Sequence, residues 1–267
     1  MSPIEIPPSQ RKLVAWWTFD QTEGSELHDS SGNNHVGTLT GGPQWQPAAG
    51  KTGGALAFDG VDDFIECGHN ESLNLTTGVS VAAGIKPAGP VKDQKIVSNQ
   101  DDVGGGYKLC IYSNKPEFEI RDSDNVPATN RFVKEGMVLE PGVWHHVVGT
   151  YCQGGSIKVY VNGKLDKEAA TPSILAASAG TLKIGREPFG DMYWFNGLMD
   201  DLQIYSYPLS QAQVAALYSG QAPPAIAQLG VLETGRRGAS SNWIPVSIIV
   251  IVAVGVGLAT RRKRTRA

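Results

Sequence analysis

Cysteine is scarce. The 267-residue sequence holds three, Cys67, Cys110 and Cys152. Their spacings match no metal-binding pattern and allow at most one disulfide, so the fold must stand on its core. Free, partly buried thiols are the ordinary state of such residues. Aromatic residues make up 8% and charged residues 18%, with a net charge of −3. Basic residues cluster only at the extreme C-terminus, which excludes the stripe that tracks nucleic acid. Helical periodicity is almost absent between Leu13 and Gln221. No Ser/His/Asp or Cys/His arrangement offers a nucleophile. The first twelve residues, MSPIEIPPSQRK, read as a leader without the apolar run of a secretory signal.

What is abundant is glycine, with 32 residues beside 16 prolines. That composition suits many short strands joined by turns, and the length suits one large β-sandwich or two small domains. Leu56–Phe58, Phe64–Ile65, Val79–Val81 and Lys108–Tyr112 are β runs bounded by Gly, Asp or Asn. The clearest hairpin is Ile157–Val161, then Asn162-Gly163, then Lys164-Leu165, because Asn-Gly readily takes the positive φ values of a type I′ turn. Pleating predicts Ile157, Val159 and Val161 inward, with Lys158 and Tyr160 outward. One helix is predicted, QAQVAALY, capped by Ser210 and burying Val214 and Leu217.

Residues 243–260, WIPVSIIVIVAVGVGLAT, carry no charge and as a helix would span about 27 Å, close to a bilayer's hydrocarbon core. Five basic residues follow in 261–267, against Arg236 and Arg237 on the other flank. This asymmetry predicts a single-pass membrane helix with a cytoplasmic tail and an extracytoplasmic domain. Residues 221–242, with Pro223 and Pro224, read as a flexible stalk. Within it VLETG resembles a cell-wall sorting signal, with Leu232 where that pattern has proline; permanent anchoring by the helix is the simpler reading.

Residues 13–220 carry a series of motifs: Trp16-Trp17-Thr18-Phe19-Asp20, Asp29-Ser30-Ser31-Gly32-Asn33, Ala55–Phe64, Gly142–Val147, Tyr160–Lys164, and Phe195–Tyr205 with Pro208-Leu209-Ser210. In this order they resemble the laminin-G/concanavalin A-like (pentraxin-like) module of bacterial surface proteins. The resemblance implies an all-β, two-sheet antiparallel jelly-roll sandwich whose first and last strands lie side by side. It also implies a structural calcium joining these termini, with Asp20, Asp29 and Asp200 or Asp201 as ligands. Neighbouring strand residues point to opposite faces, so one member of the Asp200/Asp201 pair is expected at the ion. The competing reading makes Asp29 an Asx-turn and the other aspartates strand ends.

For ligand contact, the loop 185–194 offers Tyr193 and Trp194 to stack on a sugar and Arg186 to pair with a carboxylate or sulfate. Packing of Trp194 and Phe195 beneath the hairpin is the alternative. Tyr107, after Asp101–Gly106, marks a second rim. His145 and His146 cannot chelate one ion from consecutive strand positions, so one is expected in the core and the other solvated. Glu117, Glu119 and Asp122 resemble the acid-bearing strand of concanavalin A-like glucanases but depart from it at two of three positions. A solvated strand with Phe118 and Ile120 inward is the expectation there. Three functions stay open: a membrane-anchored, non-enzymatic module binding a glycan or envelope protein; a structural component of an envelope assembly; and, remotely, a glycoside hydrolase.

Overall fold

A computed structural model describes residues 2–90, 93–102, 104–122, 130–133 (backbone), 136–171, 174–190 and 192–221. The chain divides into two units, Met1–Gln228 and Leu229–Ala267. The expected stalk beyond Gln221, the apolar segment 243–260 and the basic tail lie outside the described residues. Among the described residues, no helix is long and apolar enough to cross a membrane.

The strands run β1 (Leu13–Trp17), β2 (Glu26–Leu27), β3 (Gly37–Thr40), β4 (Gln44–Gln46), β5 (Ala55–Asp59) and β6 (Phe64–Glu66). There follow β7 (Gly78–Pro87), β8 (Asp93–Ser98), β9 (Tyr107–Tyr112), β10 (Lys115–Arg121) and β11 (Asn130–Val133). The last are β12 (His145–Cys152), β13 (Ser156–Val161), β14 (Lys164–Ala170), β15 (Lys183–Ile184) and β16 (Asn196–Tyr205), before helix α1 (Gln211–Tyr218). They form two antiparallel sheets. Sheet A has the order β14-β13-β12-β7-β16-β5-β4, with β1 also on β16; sheet B has the order β11-β10-β9-β8-β15-β6-β3-β2. The first and last strands are neighbours as expected, Trp16 opposite Gln203 and Trp17 opposite Leu202.

The main core lies between the sheets, where Trp17, Leu56, Val81, Ile85, Leu109, Phe118, Val147 and Ile204 are sealed from solvent. Gly149 of β12 lets the sheets approach, since a Cβ there would sit 2.2 Å from the Phe118 ring. A second cluster covers the outer face of sheet A: Ile6 from the N-terminal segment, Val148, Tyr160, Tyr205, Tyr207, Leu209 and Val214. The central strands of sheet A, β7 and β12, are therefore buried on both faces, and strict alternation fails there. Tyr160, expected outward, is covered by this cluster. Both histidines are buried too, correcting the expectation of one solvated ring.

Local signals fared well. Asn162 and Gly163 take φ of 50° and 80°, and Ser210 and Gln213 form a reciprocal capping box at the start of α1. The three cysteines are free.

Candidate functional site

Two places gather the residues that chemistry would use. The first is the outer face of sheet B. On β6, Ile65 points into the core, so Phe64 and Glu66 point out. Phe64 meets Trp194 with ring centroids 5.9 Å apart, and the Arg186 guanidinium lies 4.8 Å from the Phe64 ring and 4.5 Å from the Trp194 ring. With Thr40, Gly41, Val61 and Asp62 these aromatics line an open groove of about 510 Å³. Trp194 is half-buried, whereas Phe195 is sealed in the core edge-on to Phe58. The alternative packing thus holds for Phe195 alone.

Arg186 is not free to meet an anion, as the sequence reading had it. Its Nε donates to the Glu187 carbonyl at 2.9 Å and its NH2 to the Gly190 carbonyl at 2.6 Å, so it fixes the loop and clamps the aromatics. Tyr193 is 41% exposed at φ 64°, with its ring 4.2 Å from Lys95 Nζ. Tyr107 is also corrected. Strand β9 begins at this residue and turns it inward beside Leu109 and Ile111, leaving it 0% exposed with its hydroxyl donating to the Leu73 carbonyl.

Beneath the loop lies a buried ionic network. Lys95 is 2.6 Å from Asp93 and 3.7 Å from Glu187, while Lys108 is 3.2 Å from Glu119 and 3.9 Å from Glu187. Ser98 Oγ donates to Glu187 and Gln100 Nε2 to Glu119. The backbone is lashed as well, the Lys95 N–H donating to the Tyr193 carbonyl at 2.9 Å. Glu117 and Glu119 are thus buried, not solvated as expected. Phe118 and Ile120 do face the core. Glu119 is held by Lys108 and Gln100, which leaves it poorly placed as a glycosidic acid or nucleophile.

The second place is where the chain ends of the sandwich meet. Asp29 accepts from the backbone N–H groups of Trp16, Ser31 and His35 and from the Ser31 hydroxyl, at 2.8–3.0 Å. Burial raises its pKa, but these donors outweigh burial and hold it below the usual carboxylate value. Four donors leave it no place at an ion. Asp29 is an Asx-turn anchor, which corrects its assignment as a ligand.

Asp200 and Asp201 break the expected alternation. Asp201 sits at φ 48° within a register shift between Asp200 and Gln203, so both side chains line one cavity of about 170 Å³. Lys51, Thr52, His146, Gln203 and Tyr218 are among the other lining residues. Asp200 is fully buried; its Oδ2 accepts from the Thr52 N–H at 3.0 Å, and its Oδ1 has no partner. Burial, with lesser repulsion from Asp201 and Asp20, pushes Asp200 up to about 7. Burial likewise raises Asp201, whose Oδ1 accepts from Trp16 Nε1 at 2.9 Å. Asp20 Oδ1 accepts from the Gly54 N–H at 2.7 Å, and a Cβ on Gly53 would strike that oxygen. His146 is pushed down to about 3 by burial and by Lys51.

An orphaned carboxylate oxygen with two further acids in electrostatic reach fits a hard divalent cation, which takes oxygen ligands. Among the described residues, the set of three acids whose oxygens all lie within 4.8 Å is a different one, Asp59, Asp62 and Asp63. The Asp59 and Asp63 carboxylates accept from their own turn's N–H groups. The reading of the sequence missed them, as it missed Phe64, Lys51 and His146. For Phe64 the signal was present, because period-two alternation about Ile65 turns it outward.

The two packed antiparallel sheets define a jelly-roll sandwich. A family model described as the concanavalin A-like lectin/glucanases superfamily matches residues 59–215, more than half of the chain, and the protein belongs to that family. No curated protein matches the sequence. Among solved structures, the binding domain of Paraclostridial Mosquitocidal Protein 1 is similar, with a TM-score of 0.64 and 17% identity over 78% of this chain and 52% of that one. So is domain 4 of AbnA, a GH43 extracellular arabinanase from Geobacillus stearothermophilus, in complex with arabinotriose. It has a TM-score of 0.58 and 21% identity over 78% of this chain and 99% of that one. The binding domain of botulinum neurotoxin serotype G gives 0.60 and 15%, over 78% and 51%. The chain thus spans about half the length of the toxin domains and nearly all of the arabinanase domain. These likenesses show the fold.

Proposed function

We propose that this protein is a non-enzymatic glycan-binding module, taking its ligand against Phe64 and Trp194 on the outer face of sheet B. The observation that carries this reading is the half-exposed Trp194, clamped from behind by Arg186 and facing an open groove that also offers Thr40 and Asp62. An immobilised indole face stacks on a sugar ring at little entropic cost, and the flanking oxygens bond its hydroxyls. A similar domain of an arabinanase carries arabinotriose, which supports sugar as the ligand class. A glycan array probed with the full-length chain tests it. Binding to some glycan, reduced at least tenfold in Trp194→Ala, is expected. Silence across the array, with a protein recovered by crosslinking, favours the interaction-protein reading.

The reading includes a structural calcium held by Asp20, Asp200 and Asp201, which would tie the first strand to the last. It also includes anchoring by 243–260, with the sandwich extracytoplasmic. Protease added to intact cells should release the sandwich and leave an epitope fused at the C-terminus protected; a protected sandwich overturns that orientation.

A further inference from the structure

The cavity beside the middle of β16 is lined by one cation of its own. Lys51 lines it together with Asp200 and Asp201, and its charge acts on both carboxylates. Its ammonium is moored on the far side, where Nζ donates to the Tyr218 carbonyl at 3.1 Å and lies 4.4 Å from the Tyr218 ring. Tyr218 ends helix α1 and its ring packs 6.0 Å from His146, another lining residue. One ammonium thus stands against the Asp200 and Asp201 carboxylates, and Asp200 Oδ1 is left without a hydrogen bond. One further polar atom in the same lining, His146 Nδ1, also lacks a partner, and burial with the Lys51 charge holds its ring neutral.

We propose that Lys51 is the resident counter-ion of the Asp200–Asp201 pair and that it competes electrostatically with a divalent cation for these acids, setting the affinity of the site. This inference rests on the calcium reading above. The physical basis is simple. A positive charge lining the same cavity as a divalent ion weakens its binding; Lys51 is itself exposed, but it acts on Asp200, which is fully buried. The same charge stabilises the metal-free cavity, where it offsets part of the repulsion among the acids. Lys51 is therefore a residue that lowers metal affinity while raising metal-free stability. A residue serving only as packing would do neither in that combination.

The test compares the full-length chain with Lys51→Met, which keeps the apolar stem, and Lys51→Arg, which keeps the charge. Calcium chloride is titrated into each by calorimetry at pH 7.5, and melting is followed in EDTA. Lys51→Met should melt lower than wild type in EDTA yet bind calcium at least tenfold more tightly, and Lys51→Arg should bind like wild type. The double variant Lys51→Met with Asp200→Asn should lose the gain. Calcium affinity that is unchanged or weaker in Lys51→Met overturns the inference while leaving the calcium site standing. Binding by Lys51→Met alone, with none by wild type, supports competition strong enough to keep the native site metal-free. No calcium heat from either protein overturns the inference and the calcium reading together.

Discussion

Glu187→Ala is expected to destabilise the domain by about 3–5 kcal/mol, the cost of breaking a buried ion pair from one side. Glu187 is 2% exposed and reaches Lys95, Lys108 and Ser98 at once. Each lysine retains one acid, Asp93 and Glu119 respectively, so the loss comes from two ammonium groups left short of negative charge in a dry place. For a domain of this size that is a fall in Tm of roughly 10 °C. The effect should extend beyond stability, because Glu187 lies in the loop that carries Tyr193 and Trp194. Glycan affinity should fall even at temperatures where the domain stays folded. Glu187→Gln keeps the shape and an acceptor for Ser98, and should recover part of the stability. Thermal melts followed by circular dichroism check this; a shift within 2 °C for Glu187→Ala would mean that the network does not hold the loop.

The second large effect is a pH dependence centred on Asp200. Its folded pKa, about 7, stands above the unfolded value near 3.8. Between these values the folded state holds a proton that the unfolded state has lost, so the linkage slope is negative and stability falls as pH rises. Below about 4 both states are protonated and the penalty is absent; above about 7 it is complete, on the order of 2–4 kcal/mol. In EDTA, Asp200→Asn should abolish this component and leave the variant more stable than wild type at pH 8. Calcium should reverse the ranking by stabilising wild type at pH 8 without stabilising the variant. Other groups also titrate, so the informative quantity is the difference between the two pH profiles. Parallel profiles in EDTA would contradict the assignment.

Much of the fold was legible because its signals are local or ordered along the chain. Asn162-Gly163 specified its hairpin through backbone sterics, and Ser210 with Gln213 specified a helix start through hydrogen bonds. The motifs from Trp16 to Ser210 carried the family resemblance, and the resemblance implied that the first and last strands lie side by side, as they do. What resisted reading depends on layers that the sequence does not mark. Tyr160 and one of His145 and His146 look solvent-facing from pleat alone; all three are buried, Tyr160 because α1 and the N-terminal segment cover that face of sheet A. Glu117 and Glu119 look like a polar edge but are buried, Glu119 held by Lys108, which Glu187 also reaches from a distant loop. Asp200 and Asp201 look like opposite-facing neighbours, and share a cavity because of one residue at positive φ.

The site was legible in part for the same reason. Trp194 and Tyr193 stood out in the sequence because aromatics beside Gly and Pro mark a loop, and the structure leaves Tyr193 exposed and Trp194 half-buried. Arg186 was given the wrong partner, since its real ones, two carbonyls of its own loop and the rings of Phe64 and Trp194, arise only when β6 and the loop are adjacent. Asp29 had two readings on the page, and four hydrogen-bond donors decided for the turn.

The central claim is that Trp194 is the surface on which a glycan rests. Its most direct test is calorimetric titration of the strongest array ligand into wild type, Trp194→Phe and Trp194→Ala under one buffer. The account predicts affinities falling in that order, with the alanine variant at least tenfold weaker and all three melting within a few degrees of one another. Equal affinities for wild type and Trp194→Ala would place the ligand elsewhere on the domain.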